Sequence, residues 1–348
     1  MPKRIHVDKW DARWSDQFEH EAGRILAACP PGIVAIEHVG STSVPGLAAK
    51  PVIDMVILVE DYDAGEQFVE AIRSLGYVYK AVNGIPGRRY FDLASETPGE
   101  LDRFHIHMYP VGHDDARRVL AFRDFLRANP AAVEQYARGK LELAAKYPED
   151  ILLYTGGKSA IIRALYRAMD GRAADPIEVT PYDASWSSAF EAAAAGIRAG
   201  VPAGLLGIEH IGSTAVPGLA AKPVIDIMPV VDDFDAARPL VMQFKELGYW
   251  YCGENGIPRR HYFVREDASG HVVEHVHVLE DSSVEARKHR MFRDYLRTSK
   301  SARERYGNLK LELASRHRND RLAYTEAKTS LVAELLREAG WQGSVPSA

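Results

Sequence analysis

Cysteine is almost absent from this 348-residue chain: Cys29 and Cys252 are the only two, and they do not occupy equivalent places in the repeat described below. That argues against a disulfide framework or a cysteine-bound metal, and fits a reducing compartment. Long apolar runs are missing too. No segment approaches the roughly 20 residues of a membrane span. The opening MPKRIHVDKWDARW lacks the apolar core of a signal peptide. Charge of one sign is also scarce: 43 Lys and Arg against 48 Asp and Glu leave a net charge of −5, which gives no reason to expect a nucleic-acid or membrane partner. Together these absences predict a cytoplasmic protein. With 46% hydrophobic and 26% charged residues, the chain is long enough for two domains with a core each.

What the sequence does have is a repeat. IEHVGSTSVPGLAAKPVIDMVILV begins at Ile36 and IEHIGSTAVPGLAAKPVIDIMPVV at Ile208, identical at 18 of 24 positions. Apart from Ser43, which is Ala215 in the second string, the polar and glycine-rich positions, which a fold needs least, are the unchanged ones. WDARWSDQF (Trp10) answers YDASWSSAF (Tyr182), and NGIPGRRYF (Asn83) answers NGIPRRHYF (Asn255), all at an offset of 172. HIHMY and HVHVL (His105, His275), FRDFLR and FRDYLR, KLELA at Lys140 and Lys310, and YTGGKS and YTEAKT follow at 170. Solenoid repeats are about 20–50 residues long, so a period this large means a duplicated domain. The linker MDGRAADPIE places the boundary near 172, giving copies 1–171 and 172–348 that are expected to pack as a pseudo-dimer.

Within one copy, Trp14–Cys29 has helical periodicity and GIVAIEHV reads as a β-branched strand. A Gly/Ser/Pro loop leads to the apolar strand PVIDMVILV. AGEQFVEAIRSLGY reads as a helix stopped by Gly76. Strands follow at RRYFDL and FHIHMY, and the rest, to Met169, is helical with breaks near Pro130 and Pro148. The fold class is α/β (α+β): a small mixed sheet flanked by helices, with a helical C-terminal tail.

Four groups of residues could carry chemistry. Gly40 opens a turn through Ser41, Thr42 and Ser43, matched by Gly212, Ser213 and Thr214; glycine permits close approach, and hydroxyls with free N–H groups hold phosphate. The competing reading is a strand-to-helix turn with hydroxyl caps. Asp54 and Asp226 each lie 13 residues after the serine, inside apolar strands, where a charge must pair or bind metal, unless it caps a loop. His105 and His107, like His275 and His277, are two apart on a strand and so share a face. With the aspartate they offer a metal site, or else a hydrogen-bonded pair of half-buried histidines; His38 and His210, beside Glu37 and Glu209, are candidates to join it. Lys50, Lys222, Arg88, Arg260, Lys158 and Lys328 are the candidate phosphate cations, against a reading as surface charges. Arg123 and Arg293 sit on Arg/Lys-rich helices and read as a solvated face. GGKS at Gly156 is not a Walker sequence: Leu152 stands where that motif requires glycine, and the other copy reads EAKT.

The glycine–serine step followed by an aspartate on a strand resembles the nucleotidyltransferase signature hG[GS]…Dh[DE]h. The whole string EHVGSTSVPGLAAKPVIDM resembles the GrpB family of that superfamily, whose domain is also found fused to dephospho-CoA kinases. The resemblance covers each half almost end to end and implies two tandem nucleotidyltransferase-like domains. It further implies a nucleoside triphosphate substrate, a divalent metal (Mg²⁺ or Mn²⁺, with Zn²⁺ or Fe²⁺ suited to histidine ligands) and an unidentified small-molecule acceptor. Asp54 and Asp226 would be catalytic. One departure stands out: active members place a second carboxylate two residues on, and here that position holds Val56 and Met228. A non-catalytic nucleotide- or CoA-binding module, and a metal-dependent hydrolase or cyclase built on Asp and the HxH pair, are the alternatives.

Overall fold

Alternation and helical spacing organise the computed structural model, which describes residues 4–94, 103–172 and 175–343. The chain divides into two units, Met1–Arg172 and Ala173–Ala348. In the first, α1 (Arg13–Ala28) buries Trp14, Phe18, Glu21, Ala22 and Ile25, three and four residues apart, as one face of an amphipathic helix requires. Strands β1 (Ile33–Val39), β2 (Ile53–Val59), β3 (Val78–Tyr79), β4 (Arg89–Leu93) and β5 (Phe104–Pro110) form a sheet in the order β1-β2-β5-β4-β3. Only the β2/β5 pair is parallel. Helix α2 (Glu66–Ser74) precedes β3, and α3 (Asp114–Ala128), α4 (Pro130–Lys146) and α5 (Ile151–Met169) follow β5. This is the mixed α/β architecture the periodicities predict. The two-residue strand β3 escapes a reading by periodicity because it is too short to have a period.

Strand alternation sorts the site from the core. Ile53, Met55 and Ile57 of β2, with Phe104, Ile106 and Met108 of β5, pack against α1 and α2 in one cluster. The intervening residues, Asp54 on β2 and His105 and His107 on β5, therefore lie on the opposite face. There Val56 packs with Val39, Tyr109 and Ala116. The turn after β1 is the seat of the helical tail: Val44 and Leu47 cluster with Leu126 of α3, Tyr136 of α4 and Leu165 of α5. Burying such side chains stabilises by about 1.5–3 kcal/mol each, so the helices are held over the glycine turn.

The second unit repeats the plan with α6 (Ser185–Gly200), β6 (Gly207–Ile211), β7 (Ile225–Val231), α7 (Leu240–Glu246), β8 (Trp250–Tyr251), β9 (Arg260–Glu266), β10 (Val272–Glu280), α8 (Val284–Thr298), α9 (Lys300–Arg316) and α10 (Arg321–Glu338). Its sheet order is β6-β7-β10-β9-β8, again with one parallel pair, β7/β10. Among the described residues no helix is long and apolar enough to cross a membrane.

Candidate functional site

At the end of β1 the backbone turns at Gly40 (φ +71°) into a single 3₁₀ turn, Ser41–Ser43. Positive φ favours glycine, and a second constraint is stricter. A Cβ on Gly40 would lie 2.3 Å from Asp54 Oδ2, and on Gly212 (φ +69°) 2.2 Å from Asp226 Oδ2. The turn and the aspartate are thus in direct contact in both copies. Thr42 braces the turn by donating to the Val52 carbonyl (3.2 Å) and pairing with His38 Nε2 (3.0 Å). His210 pairs with Thr214 in the same way (3.0 Å). His38 stacks on Phe18 and His210 on Phe190. Burial pushes both imidazoles down to about 4, so at neutral pH these histidines are uncharged struts of the turn.

Asp54 lies directly across the parallel pair from His105, and Asp226 from His275. His105 Nδ1 donates to Asp54 Oδ1 at 3.0 Å, and His107 Nε2 faces the same oxygen at 3.8 Å. The second copy gives 3.1 Å for His275 and 3.5 Å for His277. Burial works against ionisation of these carboxyls, but the paired imidazoles outweigh it and hold both well below the usual carboxylate range. In the second copy Asp226, His275 and His277 offer ligand atoms that all lie within 4.8 Å of one another.

Arg88 and Arg260, expected to reach phosphate, turn inward instead. Arg88 donates to the carbonyls of Val82 (3.2 Å) and Asn83 (2.6 Å), and Arg260 to those of Glu254 (3.1 Å) and Asn255 (2.8 Å). Each also donates to the histidine behind the aspartate: Arg88 Nη1 to His107 Nδ1 at 3.2 Å, Arg260 Nη1 to His277 Nδ1 at 3.0 Å. An arginine can only donate, so Nδ1 of each histidine is the acceptor and its proton sits on Nε2, facing the carboxylate. The arginines position the histidines. Arg123 and Arg293 also depart from expectation. They are not a solvated face but pair with Glu37 (2.7 Å) and Glu209 (2.8 Å) and bond the carbonyls of His38 and His210, tying the helical tail to the strand before the turn.

A cavity of about 210 Å³ opens beside the second aspartate. Ser213, Thr214, Asp226 and His275 line one side, and Lys222, Lys310, Arg321 and Lys328 supply four basic side chains. Tyr306 and Tyr324 also line it, with Lys310 Nζ 4.7 Å and Lys328 Nζ 4.1 Å from their ring centroids. The first copy builds the same pairs: Lys140 over Tyr136 (4.5 Å) and Lys158 over Tyr154 (5.4 Å), with Lys50 5.6 Å from the latter ring. Burial pushes Lys222 and Lys328 down to about 8, and Lys158 is lowered for the same reason.

Lys140, Lys310 and Arg321 are members that the sequence reading missed. KLELA recurs in both copies, and each lysine follows a tyrosine by four residues, one helical turn, as Lys158 and Lys328 also do. That spacing was the available signal. A lysine in a helix rich in charge otherwise reads as solvated. In the GGKS segment, a Cβ on Gly157 would lie 2.3 Å from Leu143 Cδ2, so this glycine serves the α4/α5 crossing while the next residue, Lys158, serves the site.

Each of the two copies is a mixed α/β domain that brings a glycine–serine turn, a carboxylate and a set of lysines together. The sequence pattern of the family described as GrpB protein matches residues 4–168 and again 176–338, and the chain belongs to that family. It is 42% identical over 163 residues to the UPF0157 protein YqkA of Bacillus subtilis, a match covering 47% of this chain and 46% of that one. The chain thus spans about half the length of that relative. Among solved structures it is similar to the conserved protein GrpB from Enterococcus faecalis (34% identity, 47% of this chain and 96% of that one, TM-score 0.44). A fainter likeness is to the Cid1 poly(U) polymerase with MgGTP bound (13% identity, 46% and 52% covered, TM-score 0.33).

Proposed function

We propose that this protein is a nucleotidyltransferase that takes a nucleoside triphosphate and passes its nucleotidyl group to a small-molecule acceptor. The observation that carries this reading is the cavity at Asp226, where a glycine–serine turn, one carboxylate and four basic side chains converge. The turn at Gly212–Thr214 would receive phosphate oxygens, and Lys222, Lys328 and Arg321 would offset their charge. Asp226, with His275 and His277, is the donor set for a divalent metal, and Asp54, His105 and His107 are its counterpart. Of the three, His277 fits least readily, because Arg260 keeps its proton on the nitrogen that faces Asp226. A bound metal would neutralise phosphate charge and act as a Lewis acid at phosphorus.

A second reading rests on Val56 and Met228. Both are fully buried in apolar surroundings, so neither place can be taken by a hydrated second carboxylate, and this favours a nucleotide-binding module that performs no transfer. Two measurements separate the readings. A thermal-shift series against ATP, GTP, CTP and UTP, each with and without Mg²⁺ or Mn²⁺, should show stabilisation; about 2.7 kcal/mol is expected at 100 times the Kd. Pyrophosphate release with a pool of hydroxyl and amine acceptors then marks the enzyme. Binding without release would leave the module, and no shift with any triphosphate would reject both.

A further inference from the structure

Lys310 is 2% exposed and Lys140 1%, and neither Nζ has a hydrogen-bond partner among the described residues. A buried ammonium without a partner costs several kcal/mol, whereas a neutral amine costs far less. The surroundings add to that bias. Lys328 faces Lys310 from α10, Lys222 and Arg321 share the cavity, and among the described residues Asp226 is the one carboxylate on its wall and His275, Tyr306 and Tyr324 are the remaining titratable neighbours. We propose that Lys310, and Lys140 at the same place in the first copy, stay neutral until a phosphate chain enters and then take up a proton, so that anion binding and proton uptake are one event. This rests on the phosphate-binding reading of the site and adds the ligand feature that is recognised: the chain of phosphates, independent of any base.

A neutral buried amine has a second possible use, as a nucleophile toward phosphorus. The charge balance decides against it. A nucleophile must remain neutral with its substrate bound, but an arriving polyanion favours the ammonium and makes the amine a proton acceptor. Burial, and then the neighbouring lysine, lower Lys310 to about 7 and Lys140 to about 6, so below those values the amine is already charged. Uptake belongs to the interval between that value and the higher one set by the bound anion. Within that interval affinity for the anion falls by up to about tenfold per pH unit as pH rises.

The test is isothermal calorimetry of the full chain with inorganic tripolyphosphate at pH 7.5, in buffers of different ionisation enthalpy, for wild type and Lys310→Arg. Arginine keeps its charge throughout this range, so the variant should bind while taking up fewer protons, by about half a proton or more at this pH. At pH 5.5 the two should agree. Should the larger arginine unfold the second unit, Lys310→Met serves: weaker binding with the uptake equally reduced. Equal uptake in wild type and a folded variant would overturn the proposal and leave the triphosphate reading standing. Binding of nucleoside triphosphate without binding of tripolyphosphate would also overturn it. Binding of neither would reject the proposal together with the reading on which it rests.

Discussion

Asp54 and Asp226 each sit on a strand that is otherwise apolar, and each is stabilised as an anion by a histidine donor at 3.0 or 3.1 Å. A carboxyl whose folded pKa is depressed contributes stability that is fully present above its unfolded value, near 4, and is lost as pH falls through the lower folded value. Asp226→Asn should therefore cost about 1.5–3 kcal/mol at pH 7 through loss of charge-assisted bonding, measured as ΔG of urea unfolding. The gap from wild type should narrow below pH 4. A variant as stable as wild type at pH 7 would show that the imidazoles do not hold the carboxylate. The glycine before the turn is equally constrained, since the aspartate oxygen fills the space a side chain would need.

At the scale of elements, what counts is how the helical tail is carried over the sheet. Arg123 and Arg293 bind it to the strand before the turn, and the α4/α5 crossing places two lysine-bearing helices side by side. Gly157 permits that crossing, with Leu143 filling the place of its absent Cβ. Gly157→Val should force the helices apart at a net cost of about 1–3 kcal/mol, lowering Tm by about 2–4 °C per kcal/mol for a domain of this size. Because Lys158 is the next residue, any triphosphate binding by the first copy should weaken as well. An unchanged Tm in differential scanning calorimetry would mean that Leu143 swings aside without cost. In the second copy the equivalent residue is Ala327, a smaller intrusion at the same crossing.

Across the whole molecule, the copies agree in plan and differ in charge. Arg259 replaces Gly87, but this does not add a phosphate grip: Arg259 pairs with Glu280 at 2.7 Å and with Asp235 at 3.4 Å, half exposed at the surface. The difference that reaches the cavity is Arg321, which lines it where the first copy has Ile151. His289 is a second difference: it is half-buried, with its Nε2 shielded from solvent and its ring 5.6 Å from His277, and Val119 takes its place in the first copy. Burial holds it neutral, at about 3. We expect Asp226→Asn to remove more triphosphate turnover or binding than Asp54→Asn, by tenfold or so if Arg321 contributes about 1.4 kcal/mol to holding phosphate. Titration of each single variant with MgATP and the other triphosphates checks this. Equal, partial losses would mean two independent sites of equal worth.

Duplication, the α/β class, and the turn, aspartate and HxH pair were all legible in the sequence, because they are local. A period of two fixes which residues of one strand share a face, and so pairs His105 with His107; that Asp54 faces them was decided by the β2/β5 register. Identical strings in two copies separated polar residues of interest from ordinary surface. Direction across space was not legible. Arg88 and Arg260 are written in a loop beside the site, yet their forks turn back to backbone carbonyls and a histidine. Arg123 and Arg293 look solvated on a charged helix, yet they cross to a glutamate 86 or 84 residues away. Lys140 and Lys310 look like ordinary helical lysines, and only the packing of α4 on α5, and of α9 on α10, over the glycine turn removes water from them. Periodicity reports which face of an element a residue occupies. What that face meets is decided by contacts between elements far apart in the chain, and those contacts determine which charges are spent on structure and which are left facing the cavity.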